Sequence, residues 1–198
     1  MQATSEERRM GRVVVSEFVS LDGVMEDPGG AEDFAHGGWA FKFDRGPEGD
    51  KFKLDELDNS QALLLGRTTY EGFAAAWPER EGDFADRMNG LPKYVVSSTL
   101  TDPTWANTTV LGGDATAAVG KLKERVDGDI LVAGSNQLVH ALLGADLVDE
   151  LRLMVFPLVL GSGKRLYAEQ PNSAAFHLAE SAVIGDGVLT LVYWPKAA

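Results

Sequence analysis

The chain has 198 residues, of which 44% are hydrophobic and 24% charged, and its formal net charge is −12. This is the composition of a globular protein long enough to form a substantial core. The acidic balance argues against nucleic-acid and anionic-membrane partners, because their phosphates require a basic face, although a nucleotide held by local donors stays possible. The absence of cysteine excludes disulfides, thiol catalysis and cysteine-bound metal centres.

Residues 1–11 are polar and lack the apolar core of a signal peptide, so we interpret them as a disordered tail. A single domain is then expected over residues 12–198. No apolar run approaches the roughly 20 residues of a membrane span. We therefore expect a cytoplasmic protein.

The first predicted strand, residues 12–19, is rich in β-branched residues and leads into a loop marked by Asp22-Gly23. The following segment carries Trp39, Phe41 and Asp44. These residues are candidates for stacking on and orienting a flat heterocycle, while the alternative is a loop whose aromatic side chains pack on the core.

Strands and helices alternate along most of the remaining chain. The patterns predict strands at 61–66, 93–99, 108–111, 130–133 and 149–160, and helices at 50–58, 67–77, 83–89, 115–126 and 135–143. A hairpin of residues 176–184 and 188–194 closes the chain. Such alternation implies right-handed crossovers and a mostly parallel sheet, with the hairpin as an antiparallel edge. The acidic run at 56–58 is interpreted as a solvated helix end.

The stretch 129–144 predicts a buried strand that runs through Gly134 and Ser135 into a helix. Glycine permits a tight turn, and a serine hydroxyl can cap the first N–H groups of a helix. Those N–H groups and the helix dipole favour an anion. The alternative is an ordinary strand–helix connection.

Three predicted strand ends carry small or hydroxyl residues. They are Gly66-Arg67-Thr68-Thr69, Ser97-Ser98-Thr99 and Gly134-Ser135-Asn136. In open α/β sheets ligands bind beyond the carboxyl ends of the strands. Arg67 adds a fixed positive charge that can bind a phosphate bidentately. Singly, Thr68 and Ser135 are typical helix caps and Arg67 is typical of a solvated side chain; together the three ends indicate a ligand with more than one phosphate.

The order of these segments resembles the dihydrofolate reductase fold, and more closely the C-terminal reductase domain of bifunctional riboflavin-biosynthesis enzymes (RibD). The resembling pieces span roughly residues 12–194 and are 20–24, 64–70, 95–99, 132–135, 146–153 and 156–167. The resemblance implies a single-domain, three-layer α/β fold with a mostly parallel central sheet and a C-terminal antiparallel hairpin.

The resemblance also implies an NADPH-dependent reductase. The matching cofactor-binding positions are Gly66, Arg67, Thr68 and Thr69 for the pyrophosphate and adenosine ribose, Ser97, Ser98 and Thr99 around the adenine and 2′-phosphate, and Gly134, Ser135, Asn136 and Gln137 at the helix start. The arginine and hydroxyl cluster favours NADPH over NADH, because an additional dianion needs donors. Asp22 lies on the loop that borders the nicotinamide in these families.

Two departures concern the substrate. The riboflavin-type reductases show Glu-Gly-Gly where this chain has Ala133-Gly134-Ser135, so an expected acidic contact is absent. No acid between Glu32 and Asp58 matches the one that holds the pterin in dihydrofolate reductases. Asp22 is the candidate proton donor, with an Asx turn before Gly23 as its alternative role.

The sequence therefore predicts hydride transfer from NADPH to a small heterocycle, either pterin-like or 5-amino-6-ribosylaminouracil-like. The alternatives are a non-catalytic nucleotide-binding module on the same fold and a purely structural protein. No metal is expected, since His36, His140 and His177 follow no ligand spacing. A homodimer is plausible by resemblance.

Overall fold

A central sheet of eight strands organises the protein, whose structure is a computed structural model describing residues 10–167 and 173–196. Its order across the sheet is β4-β3-β2-β5-β1-β6-β8-β7. Strand β8 alone runs opposite to the other seven strands and makes antiparallel pairings with β6 and β7. The strands are β1 (Arg12–Ser20), β2 (Ser60–Gly66), β3 (Lys93–Val96), β4 (Thr108–Leu111), β5 (Asp129–Ala133), β6 (Glu150–Phe156), β7 (Phe176–Ile184) and β8 (Val188–Pro195).

Within the described part of the chain, five α-helices cover the two faces of the sheet, which gives the three-layer architecture expected from the sequence. They are α1 (Gly46–Asn59), α2 (Arg67–Ala76), α3 (Asp83–Gly90), α4 (Ala115–Lys123) and α5 (Asn136–Gly144), with a short 3-10 helix at Trp39–Lys42. No helix within the described residues is long and apolar enough to cross a membrane.

The period-two geometry of the strands divides the core between the two faces. In β1, Val13 and Val15 belong to the cluster under α4 and α5, whereas Val14 belongs to the cluster under α1, α2 and α3. Strands buried on both faces need continuous apolar runs, as parallel sheets generally do. A third cluster, which includes Trp39 and Phe156, lies under β6 and β8.

Neighbouring strands β2 and β5 send their helices to opposite faces of the sheet. Tyr70 of α2 packs in the cluster on one face, and Leu138 of α5 packs in the cluster on the other. Such a divergence opens a crevice at the carboxyl ends of the strands, which is where open α/β sheets bind ligands. This crevice positions the candidate site.

The predicted elements are found, with changes at several ends. Strand β3 stops at Val96, before the predicted end at 99, because the Ser97 hydroxyl accepts the N–H groups of Thr99 and Leu100 and turns the chain. Strand β6 ends at Phe156 and is shorter than the predicted 149–160, and α1 begins at Gly46 instead of 50.

The structure changes two expectations about which residues are exposed. Glu56, predicted to lie on a solvated helix end, is 2% exposed. Within the tail predicted over residues 1–11, residues 1–9 lie outside the described part of the chain. Gly11 is buried and donates its N–H to the carbonyl of Lys123 at 2.7 Å, so the ordered domain includes it.

Candidate functional site

The connections β2–α2 and β5–α5 are locked together at the crevice. The Gly66 N–H donates to the Ser135 hydroxyl at 2.8 Å, and the Ser135 N–H donates to the Thr69 hydroxyl at 2.9 Å. The first bond joins residues that are 69 positions apart in the sequence, and the second joins residues that are 66 positions apart. The structure thus brings two of the three predicted strand ends into direct contact.

Ser135 has a different role from the helix cap predicted from the sequence. It occupies the N-cap position of α5, but its side chain makes no capping hydrogen bond there. Its hydroxyl is engaged by Gly66 of the neighbouring connection. The prediction of a capping serine is corrected, because the tertiary contact takes the oxygen that a cap would use.

The turn between β5 and α5 has an unusual backbone. Gly134 and Ser135 both have φ near +64°, in the left-handed region. A Cβ at position 134 would lie 3.0 Å from Thr69 Cγ2, so both conformation and space require glycine. The N–H groups of Gly134 and Ser135 are already bonded, to Glu17 at 3.0 Å and to Thr69 at 2.9 Å, so the N–H groups that could meet an anion are those of the first turn of α5.

Both helices that border the crevice begin without a side-chain cap. This holds for α2, with Gly66 at its N-cap, and for α5, with Ser135 at its N-cap. Uncapped helix starts present free N–H groups and the positive end of the helix dipole. The crevice therefore offers two anion-binding ends, one from each face of the sheet.

The third strand end joins the site through Arg67. Its guanidinium donates to the Thr99 hydroxyl at 2.5 Å and to Glu71 at 2.7 Å, and the side chain is about half exposed. The Ser97 hydroxyl already accepts the N–H groups of Thr99 and Leu100 in the turn that follows β3. The other predicted cofactor residues on this side, Thr68, Ser98 and Gln137, are exposed.

Asn136 connects α5 to the segment that follows β6. Its side-chain amide donates to the carbonyl of Arg165 at 2.5 Å and lies 3.3 Å from the His140 ring. Arg165 in turn donates to the carbonyl of Asp22. The segment 157–166 is therefore tied both to α5 and to the loop after β1.

Asp22 joins that loop to the same segment. Its carboxylate accepts the Ser20 hydroxyl at 2.7 Å and the N–H groups of Leu160 and Gly161 at 3.1 and 2.9 Å. The Ser20 bond first, and then the two backbone bonds, lower the pKa of Asp22 to about 2 against its partial burial. The carboxylate is ionised at neutral pH and holds no proton to donate, which favours a positioning role over the predicted proton transfer.

Of the three residues predicted to contact a substrate, Trp39 is fully buried. Its ring packs edge-on against Phe156 at 5.3 Å, and its indole N–H donates to the carbonyl of Glu26 at 2.7 Å. It is enclosed in the core and has no free face for a heterocycle, so this prediction is corrected. Phe41 is 79% exposed, and Asp44 accepts the N–H of Gly46 within its own loop.

A buried polar cluster under α1 was missed in the sequence. Lys53 and Glu56 form an ion pair of 2.5 Å; the Ser16 hydroxyl donates to Glu56 at 2.8 Å and lies 2.7 Å from Lys53 Nζ. The Lys53 ammonium also lies 5.2 Å from the centroid of the Phe18 ring. The spacing of three between Lys53 and Glu56 was the available signal, since it places both on one helix face.

Glu17 of β1 was also missed. It is 5% exposed; Oε2 accepts the Gly134 N–H at 3.0 Å, and Oε1 has no hydrogen-bond partner among the described residues. Burial raises the pKa of Glu17 well above its ordinary value, although the Gly134 bond and the charge of Lys53 oppose the shift. The signal was a lone acid within an apolar strand.

Comparison with known proteins assigns the family. The RibD C-terminal domain family matches residues 12–190, and the chain belongs to this family of reductase domains. It is 26% identical over 191 residues to the uncharacterized protein YyaP of Bacillus subtilis (strain 168), covering 92% of this chain and 94% of that protein.

Solved structures agree on the fold. A protein provisionally assigned to riboflavin biosynthesis from Shewanella sp. PV-4 has a TM-score of 0.76 at 22% identity, over 94% of this chain and 99% of its own. The dihydrofolate reductase of Enterococcus faecalis, solved with NADP(H), has a TM-score of 0.61 at 14% identity, over 95% and 98%. The fold is dihydrofolate reductase-like.

Proposed function

We propose that the protein is an NADPH-dependent reductase that transfers hydride to a small heterocycle, either pterin-like or 5-amino-6-ribosylaminouracil-like. The observation that carries the proposal is the pair of uncapped helix starts locked together by Gly66, Thr69 and Ser135. Two anion-binding ends across one crevice suit a diphosphate better than a single phosphate. The Enterococcus faecalis dihydrofolate reductase, solved with NADP(H), has the same fold.

The donors around the crevice fit a phosphorylated dinucleotide. Backbone N–H groups at the starts of α2 and α5 would hold the diphosphate, and Arg67 with Thr99 would hold the 2′-phosphate. Arg67 is free to turn toward a ligand, because its partners Glu71 and Thr99 lie at the surface. A bound reduced nicotinamide would supply the hydride.

Lys53, whose side chain is 12% exposed, is the proposed contact for the heterocycle. Pterins and aminopyrimidines present ring nitrogens and carbonyls that can accept from an ammonium group. Ser16 and Glu56, which are buried, would hold that ammonium in place. Asp22 fixes the loop that would border the nicotinamide.

Calorimetric titration with NADPH tests the cofactor half of the proposal. We expect Arg67→Ala to weaken binding about tenfold or more, since hydrogen bonds to charged groups contribute about 1.5–3 kcal/mol. Arg87→Ala is the matched control, because Arg87 pairs with Asp58 at 2.7 Å as Arg67 pairs with Glu71 and is similarly exposed. A wild-type protein that does not bind NADPH overturns the proposal.

Steady-state oxidation of NADPH against dihydropterins and aminopyrimidines tests the acceptor half. We expect turnover with one of these classes and a loss of at least about tenfold in kcat/KM for Glu56→Gln, because Lys53 loses the charged partner that holds its ammonium in place. Binding of NADPH without oxidation by any acceptor would instead support the nucleotide-binding module.

A further inference from the structure

Glu17, Asp27 and Glu56 are buried acids that each have one carboxyl oxygen without a hydrogen-bond partner among the described residues, and of these Glu17 is the one that contacts the turn at Gly134. Residue Ser16 pairs with Ala133 at the end of the β1–β5 ladder, which places Glu17 directly beside the turn at Gly134. One carboxyl oxygen accepts the Gly134 N–H, and the other is buried without a partner in the described structure. A buried acceptor without a donor is costly, so the arrangement needs a reason beyond folding.

The position of Glu17 relates it to the anion-binding end of α5. Its side chain is more than nine-tenths buried and reaches the first N–H of the turn whose next residue, Ser135, is the N-cap of α5. An ionised carboxylate at that point would compete with a phosphate for the same N–H and would repel it. A protonated carboxyl would instead have an O–H to donate to a phosphate oxygen.

The titratable groups on the elements packed against Glu17 each have other partners. On α1, the cation Lys53 and the anion Glu56 act on it with opposite sign and are paired to each other. On β6, Arg152 is paired with Glu150. On α5, the titratable side chain is His140, which lies 3.0 Å from the carbonyl of Arg165.

We infer that Glu17 is a proton-coupled sensor in the dinucleotide site, neutral when a diphosphate is bound at Gly134–Ser135 and opposed to binding when ionised. This inference rests on the proposed function. Binding should therefore be accompanied by net proton uptake at the pH where free Glu17 ionises.

Calorimetry with NADH over a pH series tests the inference. NADH is the probe because the 2′-phosphate of NADPH titrates itself, with a second pKa of about 6. As the pH is raised through the range in which free Glu17 ionises, we expect the wild-type Kd to increase. The total increase should be about tenfold for each unit by which the bound ligand raises the pKa of Glu17. The Glu17→Gln variant keeps the acceptor for Gly134 and cannot ionise, so its Kd for NADH should vary less than about twofold over the same pH range. The exposed Glu180→Gln should follow the wild type.

A second measurement uses the wild-type protein alone. Titrations in buffers of different ionisation enthalpy give the number of protons taken up, so the inference stays testable if Glu17→Gln does not fold. Proton uptake of zero at every pH, or identical pH profiles for wild type and Glu17→Gln, overturns the coupling while leaving the reductase proposal intact. Absence of NADPH and NADH binding at any pH overturns the reductase proposal itself.

Discussion

Two buried glutamates on neighbouring strands, Glu150 and Glu17, have opposite electrostatic surroundings. Glu150 begins β6 at the amino edge of the parallel strands and is 4% exposed; Glu17 lies near the end of β1 at the carboxyl edge and is 5% exposed. Their similar burial makes the difference between their partners informative.

Glu150 is surrounded by donors. Arg12 and Arg152 each lie 2.5 Å from one of its oxygens, and the indole N–H of Trp194 donates to it at 3.1 Å. Burial raises the pKa of Glu150, but Arg152, Arg12 and Trp194 together lower it below the ordinary value. Glu150 is therefore ionised, and its role is structural, since it holds Arg12 and Arg152 in ion pairs.

Among the described residues, the Gly134 N–H is the one hydrogen-bond donor to Glu17. Its pKa is raised, because burial outweighs that single bond and the charge of Lys53. Buried acids are stable as anions where several donors converge, and otherwise keep their protons. The contrast gives Glu150 at the amino edge of the sheet a structural role and leaves the carboxyl edge as the candidate binding edge.

The same substitution at both sites gives the largest expected difference. Glu150→Gln leaves Arg12 and Arg152 without their shared carboxylate, and we expect it to lower the free energy of unfolding by about 3 kcal/mol. Glu17→Gln keeps the Gly134 bond and removes a carboxyl that is costly to ionise, so it should not lower the free energy of unfolding at neutral pH and should raise it where the wild type loses stability to ionisation. Urea unfolding measures both, and equal losses would contradict the contrast.

The next largest expected effect is a loss of stability on substitution of Gly134, in the turn that Glu17 contacts. Gly134→Ala places a Cβ in a left-handed conformation and against Thr69, so we expect a loss of about 2 kcal/mol. Gly72→Ala is the control, because a Cβ there meets nothing within 4 Å in the middle of α2 and should stabilise by up to about 1 kcal/mol. Thermal unfolding of the two variants compares them; a neutral Gly134→Ala would show that the turn is unstrained.

The pH dependence of stability isolates the ionisation of Glu17. Its folded pKa lies above the ordinary 4.5, so its stabilising contribution is complete below pH 4.5 and is lost as the pH rises through the folded pKa. We expect the wild type to lose about 1.4 kcal/mol for each pH unit in that window relative to Glu17→Gln. Parallel curves from urea unfolding at several pH values would refute a raised pKa.

The smallest expected effect is a local change in hydrogen exchange on substitution of Asp22. Asp22 lies at the same edge of the sheet as Glu17, but its carboxylate accepts from several donors. Its folded pKa of about 2 lies below the ordinary 3.8, so its contribution is present above pH 3.8 and is lost as the pH falls through about 2. We expect Asp22→Asn to speed hydrogen exchange at the Leu160 and Gly161 amides at neutral pH, with the β1 core amides unchanged. Unchanged exchange at both amides would show that the carboxylate does not hold the segment.

Much of the candidate site could be predicted from local sequence. The strand ends at Gly66 and Gly134 were recognised because small and hydroxyl residues follow buried apolar runs. Glycine at 134 was correctly interpreted as a turn, since its φ is +64°. The contacts and burial of Ser135, Glu56 and Trp39 could not be predicted, because each depends on which distant residue packs against it.

The sequence by itself determined the elements, their alternation and the family, because periodicity and turn residues act over a few positions. Only the tertiary structure decided that β2 lies beside β5, and hence that Thr69 meets Ser135. It also decided that Glu17 is enclosed. A carboxylate in a strand carries no local sign of its burial, since the residues that remove its water come from other strands and helices.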